Sequence, residues 1–376
     1  MGNLELVRLG DLGNFAHKSS IKAGDGQAEG KYKFFTSSTE QTKYTDTFLY
    51  DFPALIFGTG GCASVHYCDS LFSTSTDCLV FFSEHPQINL KAIYWYLSGN
   101  MRLLEEGFRG AGLKHISKNY LANEILIPIF NSPTQDKIAD VLDRASTLIE
   151  KRRLQLDKLD LLIKSQFIEM FGDDQYPRAK LEDICAYITK GTTPPANALH
   201  KFPAESNVPY LKVYNLSDNG GLQFWKEPQY VDKEMHNTVL RRSRVYANDV
   251  LMNIVGLPLG KFALVTDDFP EWNVNQAIAI FRSEEKVLPI YLMYAMMQPN
   301  VLRPFLEKAV GIRQVNLSLV QCRELTIPLP PIPLQARFAD FVQSVEAQKV
   351  RLRQSLTNLE LNYKSLLQKC FRGELF

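Results

Sequence analysis

IPIFNSPTQDKIADVL at 127–142 lies over IPLPPIPLQARFADFV at 327–342, 200 residues apart and without a gap. Ile127/Ile327, Pro128/Pro328, Pro133/Pro333, Gln135/Gln335, Ala139/Ala339 and Asp140/Asp340 are identical pairs. Arg153/Arg353, Leu156/Leu356, Leu159/Leu359, Lys164/Lys364, Ser165/Ser365 and Phe171/Phe371 hold the register further on. Self-similarity at one fixed offset is the mark of a duplicated structural unit.

Each copy starts as an extended segment punctuated by prolines, which fix their own φ and disfavour helix in the residue before them. A long stretch without Gly or Pro follows and is predicted to be helix. In the first copy, steps of 4 and 3 select Ile138, Leu142, Ala145, Ile149, Arg152, Leu156, Leu159, Ile163, Gln166 and Met170. The second gives Phe338, Val342, Val345, Lys349, Leu352, Leu356, Leu359, Tyr363, Leu366 and Cys370. These are heptad seams with polar interruptions, and two helices of nearly equal length with matching stripes are expected to pair. A helix from 134 to 171 would be about 57 Å long at 1.5 Å per residue, a spacer that holds two domains apart.

The rest of the chain falls into two globular regions. The sequence predicts a first domain over 1–131, its helix over 132–172, a second domain over 173–331 and the second helix over 332–376. A length of 376 residues suits two domains. The two starts are alike, LVRLGDLGNF against RAKLEDICAY, with Leu9/Leu181 and Asp11/Asp183. The ends are closer still, GLKHISKNYLANEILIP (112–128) against GIRQVNLSLVQCRELTIP (311–328). Between them, β-rich runs such as FPALIF, DCLVFF, RVYANDVLMNIV, GKFALVT and QAIAIF are broken by Gly, Pro, Asn and Asp. This predicts mixed α/β (α+β) domains with bent sheets, built on a repeated frame with a variable middle.

Composition narrows the class without naming it. The chain is 45% hydrophobic and 22% charged, an ordinary globular balance, and its formal charge of +1 gives no bulk sign of a polyanion partner. No apolar run suits a membrane span, and the start MGNLELVRLGDLG lacks the pattern of a signal peptide, so a cytoplasmic protein without a membrane partner is expected. Six scattered cysteines fit reduced, mostly buried thiols.

The duplicated helix entry, the GIRQVNLS segment, the VPYLKVYNL segment (208–216) and the ending LLQKCFRGELF together resemble the DNA-specificity subunits of Type I restriction-modification systems, over essentially the whole chain. The resemblance implies a non-catalytic subunit with two target recognition domains, each reading one half of a bipartite double-stranded DNA site. It implies that the two long helices pair as an antiparallel coiled coil and dock two methyltransferase subunits, through which restriction subunits join. It places S-adenosylmethionine on the partner methyltransferase and no cofactor on this chain. KYKFFTSSTE (31–40) stands in the first domain where VPYLKVYNLSD stands in the second, so the first domain departs from the pattern there. Two different reading surfaces are what an asymmetric split site requires.

Such a subunit needs Lys and Arg for phosphates and side chains with paired donors and acceptors for base edges. In the second domain the candidates are Lys190, Thr192, Lys212, Tyr214, Asn215, Arg241, Arg242, Arg244, Arg313, Gln314 and Asn316. Arg313 and Gln314 rank first, because both make bidentate contacts and they follow a glycine. In the first domain Lys18, Lys31, Lys33, Arg109, Lys114 and His115 are comparable. For an isolated lysine the bland alternative is a solvated charge. On the helices, Asp140, Arg144, Lys151 and Lys158, and Arg337, Gln343, Arg351 and Lys364, would supply docking surface.

Competing chemistry is weaker. FGTGG (57–61) superficially resembles the glycine loop that holds S-adenosylmethionine, but CASVHYC after it does not open a helix. Cys62, His66, Cys68 and Cys78 lack the paired spacing of a zinc site. The alternatives are a self-contained DNA methyltransferase, which would bind S-adenosylmethionine alone, and a protein-only coiled-coil adaptor, which would bind no duplex.

Overall fold

The computed structural model describes residues 5–172, 175–204, 207–307 and 315–376. The chain divides into two compact units, Met1–Leu154 with Arg353–Phe376, and Gln155–Leu352. This division cuts across the four consecutive segments read from the sequence, because each unit takes one half of each long helix.

The first unit contains β1 (Glu5–Arg8), β2 (Asn14–Phe15), β3 (Tyr32–Phe35), β4 (Lys43–Thr45), β5 (Ala54–Gly58), β6 (Ser64–Cys68), β7 (Phe72–Thr74), β8 (Cys78–Phe82), α1 (Leu90–Gly99), α2 (Arg102–Glu105), α3 (Lys118–Asn123) and β9 (Leu126–Ile129). It also holds the first half of α4 (Ser132–Phe171). Strand order β2-β8-β5-β6 makes one sheet and β4-β3-β7 another, while β1 pairs with β9. The FPALIF and DCLVFF runs form β5 and β8, paired antiparallel with Ile56 opposite Val80. Leu55, Phe57 and Phe81 face a core with Ile93 and Leu97 of α1, while Ile56 and Val80 face a second core with Phe35 and Phe72. This alternation is what a strand covered on both faces requires.

The second unit contains β10 (Arg178–Lys180), β11 (Cys185–Lys190), β12 (Asn207–Leu211), β13 (Tyr230–Asp232), α5 (Lys233–Asn237), β14 (Arg244–Val245), β15 (Val250–Asn253), β16 (Phe262–Leu264), β17 (Trp272–Val274), β18 (Ile278–Ser283), α6 (Pro289–Met296), α7 (Pro299–Leu306), α8 (Leu319–Glu324) and β19 (Thr326–Pro328). Its sheets run β11-β18-β15-β16 and β13-β12-β17-β14, with β10 paired to β19. This is the plan of the first unit with β14 added. The correspondence extends to single bonds. Leu9 N donates to Ile125 O and Leu181 N to Leu325 O; Ser75 N donates to Phe35 O and Asn275 N to Leu211 O. KYKFF therefore occupies, as β3, the place that VPYL occupies as β12: each pairs antiparallel on one side and parallel on the other.

The two long helices, α4 and α9 (Ile332–Phe371), each span 40 residues, about 60 Å at 1.5 Å per residue. Asn131 caps α4 by accepting from Thr134 N at 3.0 Å, which ends the extended proline segment and starts the helix. The halves pair antiparallel. In the first unit Ile138 and Leu142 pack with Leu367 and Cys370, and Arg153 bonds Glu360 at 2.6 Å. In the second, Ile163, Phe167 and Phe171 pack with Phe338, Val342 and Val345. The polar interruption at Lys349 is 2% exposed there, its ammonium held by Asp160 at 2.5 Å and by Glu346.

The repeated glutamine holds each helix to its own domain. Gln135 donates to Gln87 O and Phe130 O and accepts from Asn89 N. Gln335 donates to Lys286 O and Pro330 O and accepts from Leu288 N. Both side chains are buried and all their amide groups face backbone partners, so this identity in the repeat is structural. No helix among the described residues is long and apolar enough to cross a membrane.

Candidate nucleic-acid interface

In each unit one end of the two sheets gathers several chain segments. In the second unit β12 ends at Leu211 and the turn from β17 to β18 crosses it through the Asn275 N to Leu211 O bond. That turn also meets the Gly/Pro-rich loop after β11, since Thr192 N donates to Val274 O at 3.1 Å and Gln276 N to Thr193 Oγ1 at 3.4 Å. The β15–β16 hairpin closes the other side, where Val255 bridges Asn316 and Leu317 N donates to Ile254 O at 2.9 Å. The result is a cleft of about 410 Å³ lined by Lys190, Ile254, Val255, Gln276, Asn316, Leu317, Ser318 and Gln321.

Of the candidate residues, this end brings Lys190, Thr192, Lys212 and Asn316 together. Lys190 and Asn316 are exposed in the cleft, and Lys212 follows Leu211 directly. Gln276, which the sequence reading passed over as the start of the strand run QAIAIF, joins them with an exposed side chain. Nothing in the surrounding sequence marked it, since 71–80 and 271–280 share no identity; only the equivalent bonds of Ser75 N to Phe35 O and Asn275 N to Leu211 O place it where Thr76 stands in the first unit.

Other candidates have different jobs. Asn215 is fully buried, its Oδ1 accepting from Lys212 N at 2.8 Å and its Nδ2 donating to Gln223 O, so it fixes a turn and presents nothing outward. Tyr214 is half-buried, and burial pushes its hydroxyl up to about 12. Arg244 is held by Asn237 and by Glu271 at 3.8 Å. Arg241 and Arg242 are exposed, but Arg242 O accepts from Tyr187 at the opposite end of β11, about 10 Å along the strand from Lys190. Arg313 and Gln314 lie outside the described residues.

The first unit builds the same end from other residues. Thr59 N donates to Asp77 O and Thr76 N to Ile21 O, and the β5–β6 hairpin bridges Gly60 to His115. His115 Nδ1 donates to Thr59 O at 3.1 Å, and Arg109 and His115 exchange both backbone bonds, so Lys114 sits on a tight exposed turn. The Arg109 guanidinium folds back onto the carbonyls of Glu106 and Phe108. Lys18 lies near enough to Cys78 to influence its thiol. Lys31 and Lys33 lie at the far end of β3, with Lys31 over the Tyr32 ring. The glycines of FGTGG make a β-hairpin with Gly61 at φ +81°, so the loop leads into a strand and has no helix N-terminus on which to hold a nucleotide.

A family model, the Type I restriction modification DNA specificity domain, matches residues 1–158 and 175–362. The chain belongs to this family. The EcoDI Type I restriction enzyme specificity subunit of Escherichia coli is 24% identical over 98% of this chain and 88% of its own length. The EcoBI specificity subunit of the same species is 22% identical over 78% and 67%. The Type I restriction-modification S subunit of M. genitalium shares the fold, with a TM-score of 0.61 at 17% identity, covering 99% of this chain and 97% of that one. The duplicated plan is thus that of a Type I specificity subunit, a recognition component of a restriction-modification system.

Proposed function

We propose that this specificity subunit reads a bipartite, asymmetric double-stranded DNA site, each unit contacting one half through the sheet end described above. The observation that carries this reading is a shared backbone with different chemistry at equivalent places. Lys190, Gln276 and Asn316 stand in the second unit where His17, Thr76 and His115 stand in the first. Asn and Gln match adenine and Lys matches guanine or phosphate, while identical framing keeps each set at the same depth. Exposed Lys18 and Lys114 and half-buried Lys212 would add phosphate contacts.

The unread bases between the halves would be set by the length of α4 and α9. The helices also carry apolar side chains facing solvent: Leu148 and Leu154 on the first half of α4, Leu161, Leu162 and Ile168 on its second half, and Val350 and Leu361 on α9. Such positions suit docking of two methyltransferase subunits, which would hold S-adenosylmethionine and through which restriction subunits join. Mapping modified bases in cells with the methyltransferase, with and without this chain, tests the reading. A split motif with a fixed gap that disappears with the chain is expected; an unchanged map would refute it.

A further inference from the structure

The β15–β16 hairpin that forms one wall of the second unit's cleft carries Gly256-Leu257-Pro258-Leu259-Gly260 at its tip. The two leucines point opposite ways. Leu259 packs on the unit's main core, whereas Leu257 is 80% exposed. A single exposed leucine says little; its setting says more. The hairpin is braced from below by fully buried Asn253, whose Nδ2 donates to Pro258 O at 2.8 Å and whose Oδ1 accepts from Lys261 N at 2.6 Å. It is braced from the side by Gly256 N donating to Val315 O at 3.0 Å, next to Asn316. Gly256 and Gly260 both have positive φ, +84° and +77°, which let the chain turn sharply on either side of the tip. Leu257 thus stands exposed at the tip of a braced hairpin whose Ile254 and Val255 line the cleft together with Lys190, Gln276 and Asn316.

The first unit repeats the arrangement by another route. Its β5–β6 hairpin is shorter and ends in small residues, but the turn facing it presents Leu113, also 80% exposed, beside Lys114 and His115. In both units this end therefore combines polar side chains with an exposed leucine, supplied from opposite sides of the equivalent backbone bridge.

We propose that Leu257 is a specificity-determining residue that contacts the 5-methyl group of a thymine in the major groove, in the half-site read by the second unit. The amides of Gln276 and Asn316 in the cleft that this hairpin borders offer paired donors and acceptors to adenine, so this end is suited to an A·T-containing segment. The inference rests on the DNA-reading function proposed above. Burying one methyl group is worth about 0.8 kcal/mol, about fourfold in affinity.

The test uses the chain assembled with its methyltransferase subunits, on duplexes carrying the motif found by base mapping, with each thymine replaced singly by deoxyuridine. At one thymine the wild-type complex should bind about fourfold more weakly. The Leu257→Ala complex should bind the parent duplex weakly by the same factor and be indifferent to that replacement, while Leu113→Ala keeps the sensitivity. Unchanged melting of the free variants would show that both fold. The proposal is overturned if no thymine is sensitive, if Leu257→Ala keeps the sensitivity, or if Leu113→Ala removes it equally. Absence of any chain-dependent motif would instead sink the DNA-reading function itself.

Discussion

The two units share strand order and even individual backbone bonds, yet they join the long helices differently. In the first, the helices meet α1 through a polar link: Trp95 Nε1 donates to Asp143 Oδ1 at 2.9 Å, and Lys91 bonds Asp143 Oδ2 at 2.8 Å. In the second, the centre of the joint is a tight aromatic cluster, with Phe167, Phe171, Tyr291, Tyr294 and Phe338 packed ring to ring at 5.0 to 5.8 Å. The glutamine clasp is common to both, and rings also pack in the first unit, where Tyr96 meets Phe371 at 5.2 Å and Trp95 meets Tyr363 at 6.0 Å. What duplication has kept is the set of contacts that satisfy buried backbone groups; what it has let diverge is side-chain packing, where several solutions fill the same volume.

The aromatic joint gives the largest expected effect. Phe338→Ala opens a cavity among the four remaining rings and should cost about 4 kcal/mol, against about 3 kcal/mol for Ile138→Ala at the corresponding place of the first unit. Chemical denaturation of each variant checks the ranking; equal losses would mean that the two joints are energetically alike. Next come the clasps. Gln335→Ala and Gln135→Ala each leave one backbone N–H and two carbonyls without their partner, and each should cost about 2 kcal/mol. A large difference between the two would break the equivalence of the units.

The smallest effect is a pH dependence confined to the second unit. Glu271 bonds His236, which also lies 2.7 Å from Asn273 Oδ1; Ser73 replaces that asparagine in the first unit. Burial alone would raise the Glu271 carboxyl, but the hydrogen bond and charge of His236, with help from Tyr246 and Arg244, outweigh it and hold the group below its ordinary value of 4.5. Its folded pKa lies below its unfolded one, so the stabilisation is present above the ordinary value and lost as pH falls through the folded one. Glu271→Gln should flatten the acid limb of the second unit's stability below about pH 4.5. Hydrogen exchange resolved by unit checks this, and an unchanged acid limb would remove Glu271 from the account.

Much of this was legible in the residues. The repeat register places α4 and α9, and the buried seam positions Ile138, Leu142, Ile149, Ile163, Phe338, Val342, Val345, Lys349 and Cys370 are heptad positions read directly from the sequence. The runs FPALIF, DCLVFF, GKFALVT and QAIAIF hold β5, β8, β16 and β18. The site was less legible. Asn215 and Arg244 have the residue types of base and phosphate readers but are spent on a turn and an ion pair, while Gln276 looked like the opening of a strand.

The sequence by itself determined the duplication, the helices and their seams, because periodicity and proline placement act through local geometry. Only the tertiary structure decided which half of each helix joins which unit, why Gln135 and Gln335 recur, and which polar side chains share a cleft. These depend on contacts between residues far apart along the chain, such as Lys190, Gln276 and Asn316, whose juxtaposition is set by strand register and not by neighbours in sequence.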